Sequence, residues 1–216
     1  MTESAEPPIE YGGYAPSDAE PMARLLGDVF SRRDPPAVAV GLTASEFEEL
    51  VRLFCAKAAV ERLTIVARLA GTGEMVGALL TEDSASAPPD GIDRLSPKFD
   101  PIFDILGQLD SEYRGDRAAR PGESLHLFLL GVADEVSGRG VARRLVAECL
   151  RHGGARGYRR AVTEATNKVS QHVFGKLGFV ERARRSYAEH RFGGQAVFAS
   201  IAEHGGPMLM DRPTGS

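Results

Sequence analysis

The run Leu-His-Leu-Phe-Leu-Leu-Gly-Val at residues 125–132, closely followed by Gly138-Arg139-Gly140, sets the tightest limit on how this chain can fold. The run is too short to span a bilayer and reads as a buried central strand. A polar bend follows over residues 133–137. Beyond it, Val141, Leu145 and Cys149 fall on one line of a helix, and Ala142, Val146 and Leu150 on the next. The order is strand, glycine turn, helix. Glycines there let the backbone bend sharply and let a ligand approach with no Cβ between. The first helical turn carries unpaired N–H groups and the positive end of the helix dipole. That is a ready anion site, and phosphate is the usual anion.

A Walker loop needs Gly, four residues, then Gly-Lys-Ser/Thr, a spacing absent here. A dinucleotide fingerprint needs a third small residue where Arg143 stands. What fits is [Gln/Arg]-x-x-Gly-x-[Gly/Ala], met at Ser137-x-x-Gly140-x-Ala142 with serine replacing the first residue. This stretch resembles the pyrophosphate loop of the GNAT N-acetyltransferases, which bind acetyl-CoA.

The length of 216 residues suits one large domain or two small ones. Charge is nearly balanced, 26 Lys+Arg against 30 Asp+Glu, which argues against nucleic acid as the main partner. Cys55 and Cys149 both lie in helical apolar patterns, as reduced core residues do, and show no metal-ligand spacing. No run is apolar enough for a membrane span, and the acidic start lacks a signal-peptide core, so a soluble cytoplasmic protein is expected. Residues 1–8 and 212–216 read as loose tails around one domain at 9–211. Nothing in the chain separates a monomer from a homodimer.

In chain order, a short strand is expected at 9–15. Ser17-x-x-Glu20 has the form of a capping box, opening a helix that the prolines after Asp34 end. Thr43-x-x-Glu46 is a second box, ahead of a helix with Phe47, Leu50, Val51 and Phe54 inside. Strands at 63–69 and 75–81 make a hairpin, and 82–97 is a long loop. Apolar spacing makes 99–109 a helix, and 110–123 reads as charged linker. After the central helix come a strand at 160–166, a helix at 167–177 stopped by Gly178, and strands at 179–188, 195–201 and 208–210. Alternating helices and strands give an α/β fold around one mixed sheet.

A second motif adds to the first. Asn167-x-x-Ser170-x-x-x-Phe174-x-x-x-Gly178-Phe179 resembles the GNAT pattern Asn-x-x-Ala-x-x-x-Tyr-x-x-x-Gly-Phe. The segments 185–198 and 208–210, with Ser96-Pro97-Lys98-Phe99 ahead of the central strand, look like insect-type arylalkylamine N-acetyltransferases. The resemblance implies a mostly antiparallel sheet of about seven strands, splayed at the acetyl-CoA site and flanked by helices. It also implies acyl transfer from CoA to the primary amine of a small molecule, in a ternary complex; the five histidines show no H-E-x-x-H or paired spacing, so no metal is expected. Leu130, Gly131 and Val132 then meet the pantetheine arm. Ser137, Gly138, Arg139, Gly140, Val141 and Ala142 hold the pyrophosphate, and Asn167 and Phe174 flank the cofactor.

The chemistry needs a base, because an alkylamine arrives protonated, and then a proton or its equivalent for the departing thiolate. By resemblance the base is Asp34, the acidic residue before a proline, and Thr166 and Ser170 are the proton-relaying hydroxyls. Spaced by four, the two hydroxyls are expected on one helical face. The usual tyrosine acid is replaced by Phe174, which has no proton to give. Plainer roles stand beside these: a turn residue for Asp34, a helix N-cap for Thr166, a packing residue for Ser170. Glu164 is the runner-up base, and His126, His172 and Tyr187 read mainly as structural. Phe174 also keeps open a CoA-binding module without catalysis, serving sensing or partner binding. Protein N-termini and aminoglycosides remain alternative acceptors.

Overall fold

The computed structural model describes residues 7–215. Seven strands form one sheet: β1 (Ile9–Gly13), β2 (Ile65–Leu69), β3 (Met75–Asp83), β4 (Ser124–Val132), β5 (Arg160–Ala165), β6 (Val180–Arg184) and β7 (Met208–Pro213). Their order is β1-β2-β3-β4-β5-β7-β6, and every neighbour pair is antiparallel except β4–β5. The helices are α1 (Ala19–Arg33), α2 (Pro35–Ala39), α3 (Ala44–Glu61), α4 (Asp100–Arg114), α5 (Val141–Ala155) and α6 (Lys168–Lys176). The apolar faces of α1, α3 and α4 build one core cluster with Val66, Ala78 and Leu80 of the sheet. On the other face, Val141, Leu145, Val146 and Cys149 of α5 close over Leu125 and Leu127. The expected α/β fold, with its mostly antiparallel sheet, is the fold observed.

Strand β4 positions the site. Leu80 pairs with Leu129 but Thr81 pairs with Leu127, so Phe128 is the extra residue of a bulge. The bulge shifts the side-chain alternation, placing Leu127 on the α5 face and both Phe128 and Leu129 on the opposite one. Parallel pairing with β5 covers only Ser124, Leu125 and His126. Past His126 the two strands diverge, and the Thr163 hydroxyl caps the fork by donating to the Leu127 carbonyl at 2.9 Å. Gly131 lies where α1 crosses β4: a Cβ there would come within 2.6 Å of the Leu26 side chain. Leu26 is fully buried and has nowhere to move. Gly131→Ala is expected to lower stability by about 1–3 kcal/mol, the usual cost of overpacking. Thermal unfolding checks this; an unchanged Tm would mean that α1 is free to shift.

Several expectations are corrected. The Thr43–Glu46 box forms, but Ser17–Glu20 does not. Instead the Asp18 carboxylate accepts from the Ala15 N–H at 2.7 Å and a single 3-10 turn leads into α1. Helix α4 runs on to Arg114 through residues expected to be linker. Asp110 and Arg114 pair at 2.6 Å, and Leu109 packs with Val162 and Leu209. Residues 195–201 are not a strand. A bridge joins Phe192 to Gln195 across Gly193-Gly194, and a 3-10 stretch (Ala199–His204) follows. There Phe198 stacks edge-on with buried Tyr187, at 5.4 Å between ring centres, so apolar residues read as strand fill a loop core instead. Strand β7 extends to Pro213, two residues into the expected C-terminal tail. At the other end, residues 1–6 lie outside the described residues, while the Pro7 and Pro8 carbonyls accept hydrogen bonds from Arg139 and Ala70.

Candidate active site

The fork between β4 and β5 exposes backbone. Ala133 donates to Val76, so the odd-numbered residues of this stretch, Gly131 among them, bond to β3. The polar groups of Leu130 and Val132 therefore point towards β5, which has already turned away. An extended amide-bearing chain such as pantetheine fits this gap as an added strand would. Gly131 pairs with Ala78 of β3 and lies against Leu26. The strand ends ahead of Ser137, and Gly138 and Gly140 both adopt left-handed backbone, φ 79° and 75°. This curls the chain so that the amides of Gly138, Gly140, Val141 and Ala142 have no backbone acceptor among the described residues. They sit at the start of α5, a 15-residue helix, where the dipole adds to the attraction for an anion. The residues present thus fit the pyrophosphate of CoA. Ala142→Glu, which sets a carboxylate at this turn, is expected to weaken CoA binding at least tenfold, ~1.4 kcal/mol. Calorimetric titration checks it, and unchanged affinity would place the cofactor elsewhere.

Beside the fork lies a cavity of about 130 Å³ that gathers the residues singled out by sequence: Asp34, Thr166, Asn167, Ser170, Phe174 and Leu130. Asp34 reaches it from the joint between α1 and α2, where the two prolines forbid a continuous helix. Its carboxylate caps α2, accepting from the Ala37 N–H at 3.3 Å, and accepts the Thr166 hydroxyl at 2.5 Å. It is buried, only 7% exposed, so the turn-residue role is too weak a description. Burial dominates and raises its pKa to about 6, against the pull of the Thr166 and Ala37 hydrogen bonds.

Thr166 precedes α6 instead of belonging to it. The N-cap is Asn167, whose side chain accepts from Ser170 N at 2.9 Å. The expected sharing of a helical face by Thr166 and Ser170 is therefore wrong, yet both residues line the cavity, from β5's exit and from α6's first turn. Ser170 Oγ donates to the Asn167 carbonyl at 2.9 Å. Phe174 is buried and packs edge-on against Phe179 at 5.0 Å between ring centres. Tyr187 does not line the cavity. Its hydroxyl donates to the Thr166 carbonyl at 2.8 Å, and burial, then the Asp34 charge, push its pKa far up.

Sequence reading misses the aromatic wall. Phe30 stacks on Phe47 at 4.9 Å, Phe47 meets Phe99 at 5.7 Å, and Phe99 stacks on Phe103 at 5.6 Å. The four rings come from three helices and the turn before α4, so no single periodicity reveals them. It also underrates His126. Nδ1 lies 2.9 Å from Glu82 and Nε2 2.7 Å from Glu164, with Lys57 beyond Glu82. Burial opposes the imidazolium, but Glu164 and Glu82 outweigh it and raise its pKa to about 10.

A sheet split at one parallel pair, with an anion turn at the end of the inner strand, defines a class of acyltransferase folds. The profile of the acetyltransferase (GNAT) family matches residues 48–179, more than half of the chain, and the chain belongs to that family of N-acetyltransferases. Among solved structures, arylalkylamine N-acetyltransferase 2 from Aedes aegypti superposes with a TM-score of 0.78 at 18% identity, over 96% of this chain and 99% of that one. The Drosophila melanogaster polyamine N-acetyltransferase that forms N-acetylagmatine gives 0.76 at 19% identity, over 95% and 100%. The C-terminal condensation domain of Ebony, bound to β-alanyl-dopamine, gives 0.81 at 13% identity, over 96% and 99%. These likenesses are of fold. Among the described residues no helix is long and apolar enough to cross a membrane.

Proposed function

We propose that this protein acetylates the primary amine of a small molecule with acetyl-CoA, with Asp34 as the base. The observation that carries the reading is a buried carboxylate, held by Thr166, facing a phenylalanine-walled cavity at the open edge of β4. Acetyl-CoA, when bound, supplies the acyl thioester. Leu130 and Val132 orient the donor by backbone pairing, and the Leu130 N–H polarises the carbonyl under attack. The rings of Phe30, Phe47, Phe99 and Phe103 bind the apolar body of the amine and exclude water. Asp34, with its raised pKa, takes the ammonium proton, and Thr166 fixes the direction of the receiving oxygen.

Phe174 cannot protonate the leaving thiolate, so that role passes to Ser170, which lines the same cavity and relays to the sulfur the second proton shed by the nitrogen that has attacked. Ser170→Ala is expected to lower kcat by about 10²-fold, the low end for proton transfer, with little change in KM for acetyl-CoA. A fully active Ser170→Ala, Thr166→Val double variant would exclude the hydroxyl relay. The buried Phe174 is also what a CoA-binding module without catalysis would carry. Thiol release from acetyl-CoA over a panel of aromatic amines, polyamines, peptides and aminoglycosides decides between the two. Turnover is expected, best with an arylalkyl or alkyl amine. CoA binding with no amine turned over would establish the non-catalytic module.

A further inference from the structure

A second cavity, of about 240 Å³, adjoins the first and shares Phe103, Leu106, Phe128 and Glu164 with it. Its character differs. Beyond the shared rings it is lined by Glu82, Ser84, Asp110, Arg114 and His126. Not every donor and acceptor of these groups is used. His126 is committed at both nitrogens, to Glu82 and Glu164. Arg114 Nε serves Asp110 at 2.6 and 2.7 Å, and its Nη2 serves the Ser84 carbonyl at 3.2 Å. Lys57, behind Glu82, is committed to that carboxylate and to the Ala87 carbonyl. These cations are bonded to other acceptors, Arg114 with N–H donors still unused, and none of them reaches the acceptors left over in this cavity. Glu164 uses only Oε2, and its other oxygen has no hydrogen-bond partner among the described residues. The Ser84 hydroxyl is buried and has no partner at all among them. An unmatched buried hydroxyl is costly, and a ligand that brings donors relieves it.

We infer that the second cavity receives the far end of the amine substrate, and that this end is a cationic N–H group, so the preferred acceptors are alkyl diamines, with Glu164 and Ser84 setting the preference. This rests on the acyl-transfer reading and narrows its substrate class. The reacting amine meets Asp34, the methylene chain lies against Phe103, Leu106 and Phe128, and the distal ammonium donates to Glu164 Oε1 and Ser84 Oγ. Arg114 lines the same cavity, but among the described residues it bonds neither Glu164 Oε1 nor Ser84 Oγ.

The test uses α,ω-diaminoalkanes of increasing length against n-alkylamines of matching length. Each is titrated calorimetrically into the protein and assayed for thiol release. At one favoured length the diamine is expected to bind at least tenfold more tightly than its monoamine, and kcat/KM should follow. In Glu164→Gln the diamine-to-monoamine ratio should fall at least tenfold. In Ser84→Ala, a substitution that removes a buried unmatched hydroxyl and leaves the fold in place, it should fall about threefold. Equal binding of diamine and monoamine at every length, or a ratio that survives in both variants, overturns the inference. So does an equal loss of kcat for both amine types in Glu164→Gln, which would make Glu164 the base. Diamine-selective binding without any thiol release would instead sink the acyl-transfer reading and leave this cavity's selectivity standing.

Discussion

Asp34→Asn is expected to lower kcat/KM for the best amine by roughly 10²-fold at neutral pH, the usual scale for a general base. The substitution keeps the size of the side chain and removes the charge, and it leaves one acceptor oxygen where the carboxylate uses two, Oδ1 for Thr166 and Oδ2 for Ala37. CoA affinity should not change, because the glycine turn ahead of α5 is a separate part of the site. Activity should return at high pH, where the amine arrives already neutral. Stability should move the other way. The folded pKa of Asp34, about 6, lies above its ordinary 3.8, so burial disfavours the charged form. The wild type therefore loses this part of its stability as pH rises from about 4 through about 6. The Asp34→Asn variant has no such loss. Above that window it should be the more stable protein, by up to about 3 kcal/mol at ~1.4 kcal/mol per pKa unit. Chemical unfolding at two pH values, paired with steady-state kinetics, reads both effects. A variant that loses activity and stability together would point to a structural role for the carboxylate.

The second large effect is expected at His126. Its imidazolium lies between Glu82 and Glu164, whose side chains are 16% and 12% exposed. Replacing it with leucine leaves two carboxylates facing each other in a poorly solvated wall. Breaking a buried charge cluster typically costs about 3–5 kcal/mol, and since Lys57 still pairs with Glu82 the loss should lie near the lower figure. The pH dependence separates charge from packing. The folded pKa of His126, about 10, is above its ordinary 6.5. Its contribution is therefore complete below about 6.5 and is lost as pH rises through about 10. In acid the variant also gains, because its carboxylates become protonated. The deficit of His126→Leu should thus be greatest near neutrality and smaller at both ends. A deficit of constant size across pH would mean that the imidazole matters for its volume alone.

How much of this is legible in the sequence depends on the range of the signal. The strand, glycine turn and α5 follow from local periodicity and from the backbone freedom of Gly138 and Gly140, and the structure has them there. Asp34, Thr166 and Ser170 come through motif resemblance, and the fold brings them to one cavity. What fails is the local geometry assigned to them. Asn167 is a better N-cap than Thr166 because its side chain reaches Ser170 N, and this leaves the Thr166 hydroxyl free for Asp34. The segment 195–201 misleads because its apolar residues, Phe198 above all, pack against Tyr187 rather than pairing in the sheet. His126 reads as solitary because Glu82 and Glu164 lie 44 and 38 residues away in the chain. The bulge at Phe128, which turns that ring towards the cavity, is a property of pairing with β3 and leaves no mark in the residue pattern of β4.

The most direct test of the account is the ratio of wild-type to Asp34→Asn kcat/KM, measured from about pH 5 to about pH 9. Ionisation of the amine itself affects numerator and denominator alike at the lower end of this range. What remains is the titration of Asp34. The ratio should be about 10 at the acid end, rise with a midpoint near 6 to about 10², and fall again only as the free amine becomes neutral. A ratio that stays flat through pH 6 would contradict Asp34 as the base and leave the cavity without the group on which the account depends.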